Sequence, residues 1–89
     1  MLEREIEITN KLGLHARAAA KLVKVAGAFT SSIEIEKADQ RVNAKSIMSV
    51  MMLAASRGNT VKLIVEGDDQ TDAMNSVIEL IEDKFGEDE

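Results

Sequence analysis

The sequence predicts an α+β fold, a two-layer open-faced α/β sandwich in which a four-stranded, mostly antiparallel sheet has three helices on one face. Strand-like and helix-like periodicities follow one another in the order βαββαβα, and two of the strands form a hairpin, which excludes an all-parallel sheet. The first strands alternate apolar and charged residues, so one face of the sheet is predicted to contact solvent. The 89 residues can bury one core, and we expect a single domain over residues 1–89.

Three segments alternate apolar and polar residues with a period of two, as strands do, and they lie at residues 2–9, 32–37 and 61–66. After a turn at residues 38–40, a shorter strand is predicted to end near Asn43. Apolar residues at helical spacing predict the helices between them. The first helix begins at or just after His15 and runs to about Gly27. The second has Ser46 as its N-cap and is predicted to stop at Gly58.

The last helix is predicted to follow Asp69, which together with Asp72 has the spacing of a capping box. Its predicted inward residues are Ala73, Val77, Leu80 and Ile81. The acidic tail after Phe85 is predicted to be solvated and frayed.

Composition excludes several classes of function. The chain has no cysteine, so disulfides and thiolate chemistry are excluded, and it has no Trp or Tyr on which nucleic-acid bases could stack. The longest stretch without a charged side chain is eleven residues, whereas a membrane-spanning helix needs about 20 apolar residues. The amino terminus is acidic, unlike a signal peptide. We therefore expect a cytoplasmic monomer that neither binds nucleic acid nor inserts into a membrane.

Charge is segregated along the chain. The segment Glu79–Glu89 accounts for the whole net charge of −5. The segment Asn10–Ile33 contains no acid and surrounds His15, the only histidine, with four basic residues: Lys11, Arg17, Lys21 and Lys24. This pattern indicates an anion-binding surface around His15.

At the N-cap of the first helix, His15 would lie beside backbone N–H groups that have no partner within the helix. These are the amides of Ala16, Arg17 and Ala18, and the helix dipole adds about half a positive charge at the same end. An imidazole with a free ring nitrogen can attack phosphorus and hold a phosphoryl group as a phosphoramidate, whose oxygens the amides and Arg17 can bind. These residues predict a phosphoryl-acceptor site.

Simpler interpretations stay open at this point. A lone histidine at a helix start is commonly an N-cap or a surface residue, and a basic stripe such as Arg17, Lys21 and Lys24 is commonly a solvated helix face. A metal role for His15 is not expected, because the chain offers no second His or Cys. The absence of a GxxxxGK loop argues against ATP binding, and we expect no cofactor.

Residues 13–19, GLHARAA, resemble the active-site motif of the HPr family, the histidine-containing phosphocarriers of the bacterial phosphotransferase system. The length and the order of elements are similar over the whole chain, and residues 10–13 resemble proteobacterial and nitrogen-branch members. The resemblance implies that His15 accepts a phosphoryl group on Nδ1 from phosphorylated Enzyme I and passes it to a histidine of an Enzyme IIA domain, while Arg17 neutralises its charge. Such a protein is a carrier with a covalent phosphohistidine rather than a stand-alone enzyme. One departure is Ala18, where the family has proline.

The start of the second helix also resembles the family. The resemblance implies that Ser46 is phosphorylated by an HPr kinase/phosphorylase, which would add about two negative charges there. The alternative for Ser46 is a plain N-cap worth about 1 kcal/mol. The resemblance further implies a docking patch for Enzyme I and Enzyme IIA. The patch would consist of Ile47, Met48, Met51 and Met52, ringed by Lys21, Lys24 and Lys45. The alternative for the methionines is packing in the core, which is common for methionines at helical spacing.

Two other functions remain as alternatives. A non-catalytic regulatory HPr-like protein would act in nitrogen or carbon control by binding other proteins, but it would have no use for His15 and Arg17. An acyl-carrier-like protein is also small, acidic and rich in Met, but it requires an all-helical pattern and an Asp before the modified serine. This chain has Lys45 in that place and three segments that alternate as strands.

Overall fold

The computed structural model describes residues 1–88 and has its strands and helices in the predicted order. The strands are β1 (Leu2–Glu7), β2 (Ser32–Lys37), β3 (Gln40–Asn43) and β4 (Thr60–Glu66). The α-helices are α1 (Ala16–Gly27), α2 (Ile47–Leu53) and α3 (Gln70–Glu82), and one 3-10 turn follows at Lys84–Gly86. The predicted α+β fold is confirmed. Within residues 1–88, no helix is long and apolar enough to cross a membrane.

The four strands form one sheet in the order β1-β4-β2-β3, and every neighbouring pair is antiparallel. Because β4 lies between β1 and β2, Val65 pairs with both Leu2 and Ile33, and these apolar side chains face the helices. On the outer face, Lys62 lies opposite Glu5. The alternation in the sequence thus corresponds to a sheet with one buried and one solvated face.

The core lies between this sheet and the helices. From α1 it contains Ala18, Ala19, Leu22 and Ala26. From α3 it contains Ala73, Met74, Val77, Ile78 and Ile81, whereas Leu80, predicted to point inward, is only partly buried. The small alanines of α1 allow its backbone to lie close to the sheet, which fixes the depth at which this helix begins.

The first strand ends at Glu7, two residues earlier than predicted. The ladder stops because the backbone of Ile8 bonds instead to the loop before β4, with its N–H donating to the Asn59 carbonyl at 2.9 Å and its carbonyl accepting from Gly58 at 2.8 Å. The Ile8 side chain is fully buried, as its place in the alternation predicts.

The second helix ends at Leu53, and its predicted extension to Gly58 is wrong. Ala54 turns out of the helix with a left-handed backbone, φ +54°. The ammonium group of Lys37 donates to the Ala54 carbonyl at 3.1 Å, so a cation satisfies a carbonyl at the negative end of the helix. Lys37 lies 17 residues before Ala54, so the local periodicity of α2 contains no sign of this contact.

The capping box predicted for Asp69 and Asp72 is also wrong. Asp69 lies at the N-cap of α3 but makes no capping hydrogen bond. Its carboxylate instead accepts hydrogen bonds from the backbone N–H groups of Thr30 and Ser31, both at 2.9 Å, and from the Ser31 hydroxyl. The Ser31 hydroxyl and the Thr30 amide, in that order, lower the pKa of Asp69 to about 2. Asp69 therefore joins the loop before β2 to the start of α3.

This pairing predicts a specific acid sensitivity. Because the folded-state pKa of Asp69 is lowered, its contribution to stability is present above the ordinary value of 3.8 and is lost as the pH falls toward about 2. In Asp69→Asn, the free energy of unfolding from urea titrations should be lower than in wild type at neutral pH and should fall less between pH 3.8 and about 2. Asp68→Asn, the same change at the exposed neighbouring residue, is the control. A wild-type pH profile in Asp69→Asn would contradict this assignment.

Candidate functional site

His15 is the N-cap of α1, as predicted. Its backbone is extended, with φ −72° and ψ 178°, and its carbonyl accepts the first helical hydrogen bond from Ala19 at 2.8 Å. The His15 side chain makes no capping hydrogen bond to this end of the helix. Ala16 and Arg17 are exposed, so their N–H groups can meet an anion beside the imidazole, whereas Ala18 is fully buried.

The loop before His15 is held in place by the segment that follows α2. The N–H of Leu14 donates to the Ala55 carbonyl at 2.9 Å. Gly13 has a left-handed backbone, φ +63°, and a Cβ at this position would lie 2.5 Å from the Ala55 oxygen. Only glycine fits this close approach, so Gly13 determines where the chain enters α1.

The two ring nitrogens of His15 have different surroundings. Nε2 lies 2.5 Å from a carboxylate oxygen of Glu87, and the His15 side chain is 24% exposed. No residue in the described range 1–88 hydrogen bonds to Nδ1. The His15 ring is thus partly exposed, and Nδ1, the nitrogen that the family resemblance identified, has no hydrogen-bond partner within residues 1–88.

Asn10 and Glu87 are two site residues that the sequence interpretation missed. Asn10 is fully buried, and its amide nitrogen donates to the Gly13 carbonyl at 2.8 Å and to Glu87 Oε1 at 3.0 Å. The pKa of Glu87 is lowered, first by the hydrogen bond from Asn10 and second by the one from His15. Asn10 thus links the loop before α1 to the carboxylate on the imidazole. A single Asn at the end of a strand has no periodic signal by which it could have been identified.

The prediction of a frayed tail after Phe85 is wrong for the described residues, and Glu89 lies outside them. Phe85 is fully buried, and Lys84, Phe85 and Gly86 all have positive φ values, so the chain turns sharply back toward α1. The ammonium group of Lys21 donates to the Phe85 carbonyl at 2.6 Å. One aromatic anchor and one basic residue of α1 hold the acidic segment at the site.

His15 and Arg17 share a cavity of about 310 Å³ with Lys11, Leu12, Glu87 and Asp88. Arg17 is exposed and makes no ion pair within residues 1–88, and its charge helps to lower the pKa of Glu87. A larger cavity, about 570 Å³, lies elsewhere between α1 and α3 and has neither a histidine nor a basic residue in its lining. The smaller cavity is therefore the one whose lining contains a nucleophile and basic side chains.

The second helix presents the apolar surface that the sequence suggested. Ile47 and Met51 are 40% and 42% exposed, and Met48 and Met52 are each 68% exposed. These four side chains of α2 are called the apolar patch below. Leu12, at 64%, is a further exposed apolar residue that the sequence interpretation did not include. Solvent exposure on this scale excludes core packing for Met48, Met51 and Met52.

The three lysines predicted to ring this patch differ in their contacts. Lys24 is exposed on α1. Lys21 is bonded to the Phe85 carbonyl, and the ammonium group of Lys45 donates to the Phe29 carbonyl at 2.8 Å. Two of the three charges are thus tied to backbone carbonyls of this chain, and their part in partner binding stays a prediction.

Ser46 is the N-cap of α2, and its side-chain oxygen accepts a hydrogen bond from the Ser49 N–H at 3.4 Å. The residue is partly buried and directly precedes Ile47 of the apolar patch. A plain N-cap therefore accounts for the local geometry, and regulatory phosphorylation of Ser46 stays a prediction.

Comparison with known proteins gives one consistent result. Residues 2–83 match the family model described as "PTS HPr component phosphorylation site". The phosphocarrier protein HPr of Cupriavidus necator is 52% identical over 89 residues, which is all of both chains. The HPr-like protein Crh of Halalkalibacterium halodurans is 50% identical over 82 residues, or 92% of this chain and 98% of that one.

Solved structures agree with this result. A crystal structure of HPr-C-His from Thermoanaerobacter tengcongensis superposes with a TM-score of 0.96 at 54% identity and full coverage of both chains. A crystal structure of an HPr dimer from the same organism has a TM-score of 0.79 at 55% identity, covering 98% of this chain and all of that one. With sequence and fold in agreement over almost its whole length, the chain belongs to the HPr family of phosphotransferase-system phosphocarriers.

Proposed function

We propose that His15 accepts a phosphoryl group from phosphorylated Enzyme I and transfers it to a histidine of an Enzyme IIA domain. The observation that supports this most directly is the unpartnered Nδ1 of a partly exposed imidazole beside the uncapped start of α1. A nucleophile, a set of free amides and one cation are sufficient for phosphoryl transfer when a second protein delivers the group, because positioning and charge stabilisation account for most of its catalysis.

In the proposed reaction, the Nδ1 lone pair of His15 forms a bond to phosphorus as the bond between phosphorus and the donor atom of Enzyme I breaks. The electron pair of that bond returns to the donor atom, and the phosphoryl oxygens lie against the amides of Ala16, Arg17 and Ala18. In the second transfer the same events run from His15 to the acceptor. Alanine in place of the family's proline retains the N–H of residue 18, so the amide set gains a donor.

Arg17 is proposed to neutralise the phosphoryl group. It is in the second position of α1, lines the same cavity as His15, and is not held by an ion pair within residues 1–88. Because its guanidinium group is exposed, it can move onto the phosphoryl oxygens as they arrive without breaking an existing contact.

The apolar patch is proposed as the docking surface for Enzyme I and Enzyme IIA. Exposed methionines suit a surface that must fit more than one partner, since their flexible side chains repack at little cost. We expect the protein to act as a monomer, although the HPr dimer from T. tengcongensis shows that a relative can pair. A regulatory role without phosphocarrier activity is the second candidate, which the similarity to a Crh protein favours and which His15 and Arg17 oppose.

His15→Ala should abolish phosphoryl acceptance. Wild-type protein incubated with Enzyme I and phosphoenolpyruvate should show an acid-labile phosphohistidine in phosphorus NMR, and the variant should show none, because His15 is the only histidine. The far-ultraviolet circular dichroism should be unchanged, since the ring is outside the core. Acceptance by the variant would refute the assignment, and a wild-type protein that binds partners but is never phosphorylated would favour the regulatory candidate.

Arg17→Glu should slow phosphoryl acceptance by about 100-fold, because it replaces a cation beside the incoming oxygens with an anion. Arg4→Glu is the matched control. It makes the same change of charge on the edge strand β1, in a residue that does not line the cavity of His15. Rates from rapid-quench measurements that are equal in the two variants would show that the positive field at the site has another source.

Ser46→Asp should weaken binding to Enzyme I about fivefold, because a negative charge next to the apolar patch opposes an acidic partner surface. Aspartate is a good N-cap, so the helix should remain intact. Ser46→Asn, which has nearly the same shape but no charge, should bind like wild type, and the difference should diminish at high salt. Calorimetric titration measures both variants, and equal affinities would place Ser46 outside the interface.

A further inference from the structure

We propose that Glu87 is a positioning residue of the phosphoryl-acceptor site, whose carboxylate holds the proton of His15 on Nε2 and so keeps the lone pair on Nδ1. This inference rests on the proposed function, because it assigns a role to Glu87 in the same transfer. It identifies the C-terminal segment as part of the site.

The assignment starts from the chemistry of the contact. A neutral imidazole has one N–H and one lone pair, and an ionised carboxylate can only accept hydrogen bonds. With Glu87 Oε2 at 2.5 Å from Nε2, the proton of the ring belongs on Nε2 and the lone pair on Nδ1. The same logic applies to other catalytic histidines whose tautomer is set by a carboxylate on the opposite nitrogen.

Glu87 is ionised at neutral pH because its carboxylate accepts hydrogen bonds from two side chains. The buried amide of Asn10 donates to its second oxygen, and this bond and the one from His15 both lower the pKa of Glu87. Nearby Arg17 acts in the same direction. A carboxylate with these neighbours remains an acceptor at neutral pH.

The position of Glu87 results from several independent anchors rather than from one surface contact. Phe85 is buried in the core, Lys21 binds its carbonyl, and the left-handed turn at 84–86 directs the next residue toward α1. Asn10 is itself held by a hydrogen bond to the Gly13 carbonyl, in the loop that sets the position of His15. Asn10 therefore fixes the carboxylate of Glu87 relative to the loop that positions the imidazole of His15.

This arrangement has a consequence for the transfer step. When the Nδ1 lone pair bonds to phosphorus, the ring gains positive charge while its proton stays on Nε2, in contact with Glu87. The carboxylate stabilises this charge directly, whereas its repulsion of the phosphoryl oxygens acts from the far side of the ring over a longer distance. When the phosphoryl group leaves, the electron pair returns to Nδ1 and the ring is neutral again.

The first test reads the tautomer without any phosphoryl transfer. In long-range proton–nitrogen correlation spectra of the unphosphorylated protein at about pH 8, where an ordinary imidazole is neutral, wild type should show a protonated Nε2 and an unprotonated Nδ1. In Glu87→Ala the two nitrogen shifts should move toward each other as the tautomers mix. Glu82→Ala makes the same change of charge at an exposed glutamate at the end of α3, which does not line the cavity of His15, and should resemble wild type.

The second test measures acceptance from Enzyme I with phosphoenolpyruvate. Glu87→Ala should lower the maximal rate about tenfold with little change in KM, the effect of losing one charge-assisted hydrogen bond, and Glu82→Ala should not. Unchanged nitrogen shifts or an unchanged rate in Glu87→Ala would overturn the proposal. Faster acceptance would also overturn it, because it would mean that the carboxylate mainly repels the phosphoryl group. A wild-type protein that accepts no phosphoryl group would refute the proposed function instead, while the tautomer measurement would still be valid.

Discussion

The close approach of Gly13 to Ala55 is the constraint on which the geometry of the site depends. It stops the chain from entering α1 before residue 16, so that His15 keeps an extended backbone and its side chain stays outside the helix. If the helix began one residue earlier, His15 would adopt helical backbone angles, and the N–H of Ala18 would bond to the Leu14 carbonyl within the helix. The contact between Gly13 and Ala55 therefore fixes where the first unpaired amides of α1 lie relative to His15.

The site is also assembled from both ends of the chain. His15 and Glu87 are 72 residues apart, and the charge segregation seen in the sequence has a structural counterpart in their contact. The basic segment around α1 and the acidic C-terminal segment lie together, with Lys21 bonded to a carbonyl of the latter. Attraction between opposite charges does not by itself fix the position of the acidic segment. The buried side chain of Phe85 fixes that position.

The sequence allowed the strands, the helices and the N-cap position of His15 to be predicted because each leaves a local pattern. Periods of two and 3.6 residues report which side of an element is buried, and the ends of α1 follow from them. The errors concern contacts between distant segments. Asp69 binds the loop before β2 instead of capping its own helix. Lys37, in the hairpin of β2 and β3, donates a hydrogen bond to the Ala54 carbonyl at the end of α2. The contact of Glu87 with His15 was also missed because the two residues are distant in sequence. In addition, six acids in the last eleven residues have the composition of a solvated tail.

The open character of the site fits the proposed role as a carrier better than a more elaborate site would. A group that must be accepted from one protein and released to another cannot be held too tightly, because stabilisation of the phosphorylated state alone raises the barrier to the next transfer. Here the phosphoryl oxygens would meet backbone amides and one exposed arginine. Glu87 acts on the ring instead of on the phosphoryl group, so in the proposed mechanism it stabilises the charge shared by both transfers. In the proposed function, docking at the exposed apolar patch supplies the remaining specificity.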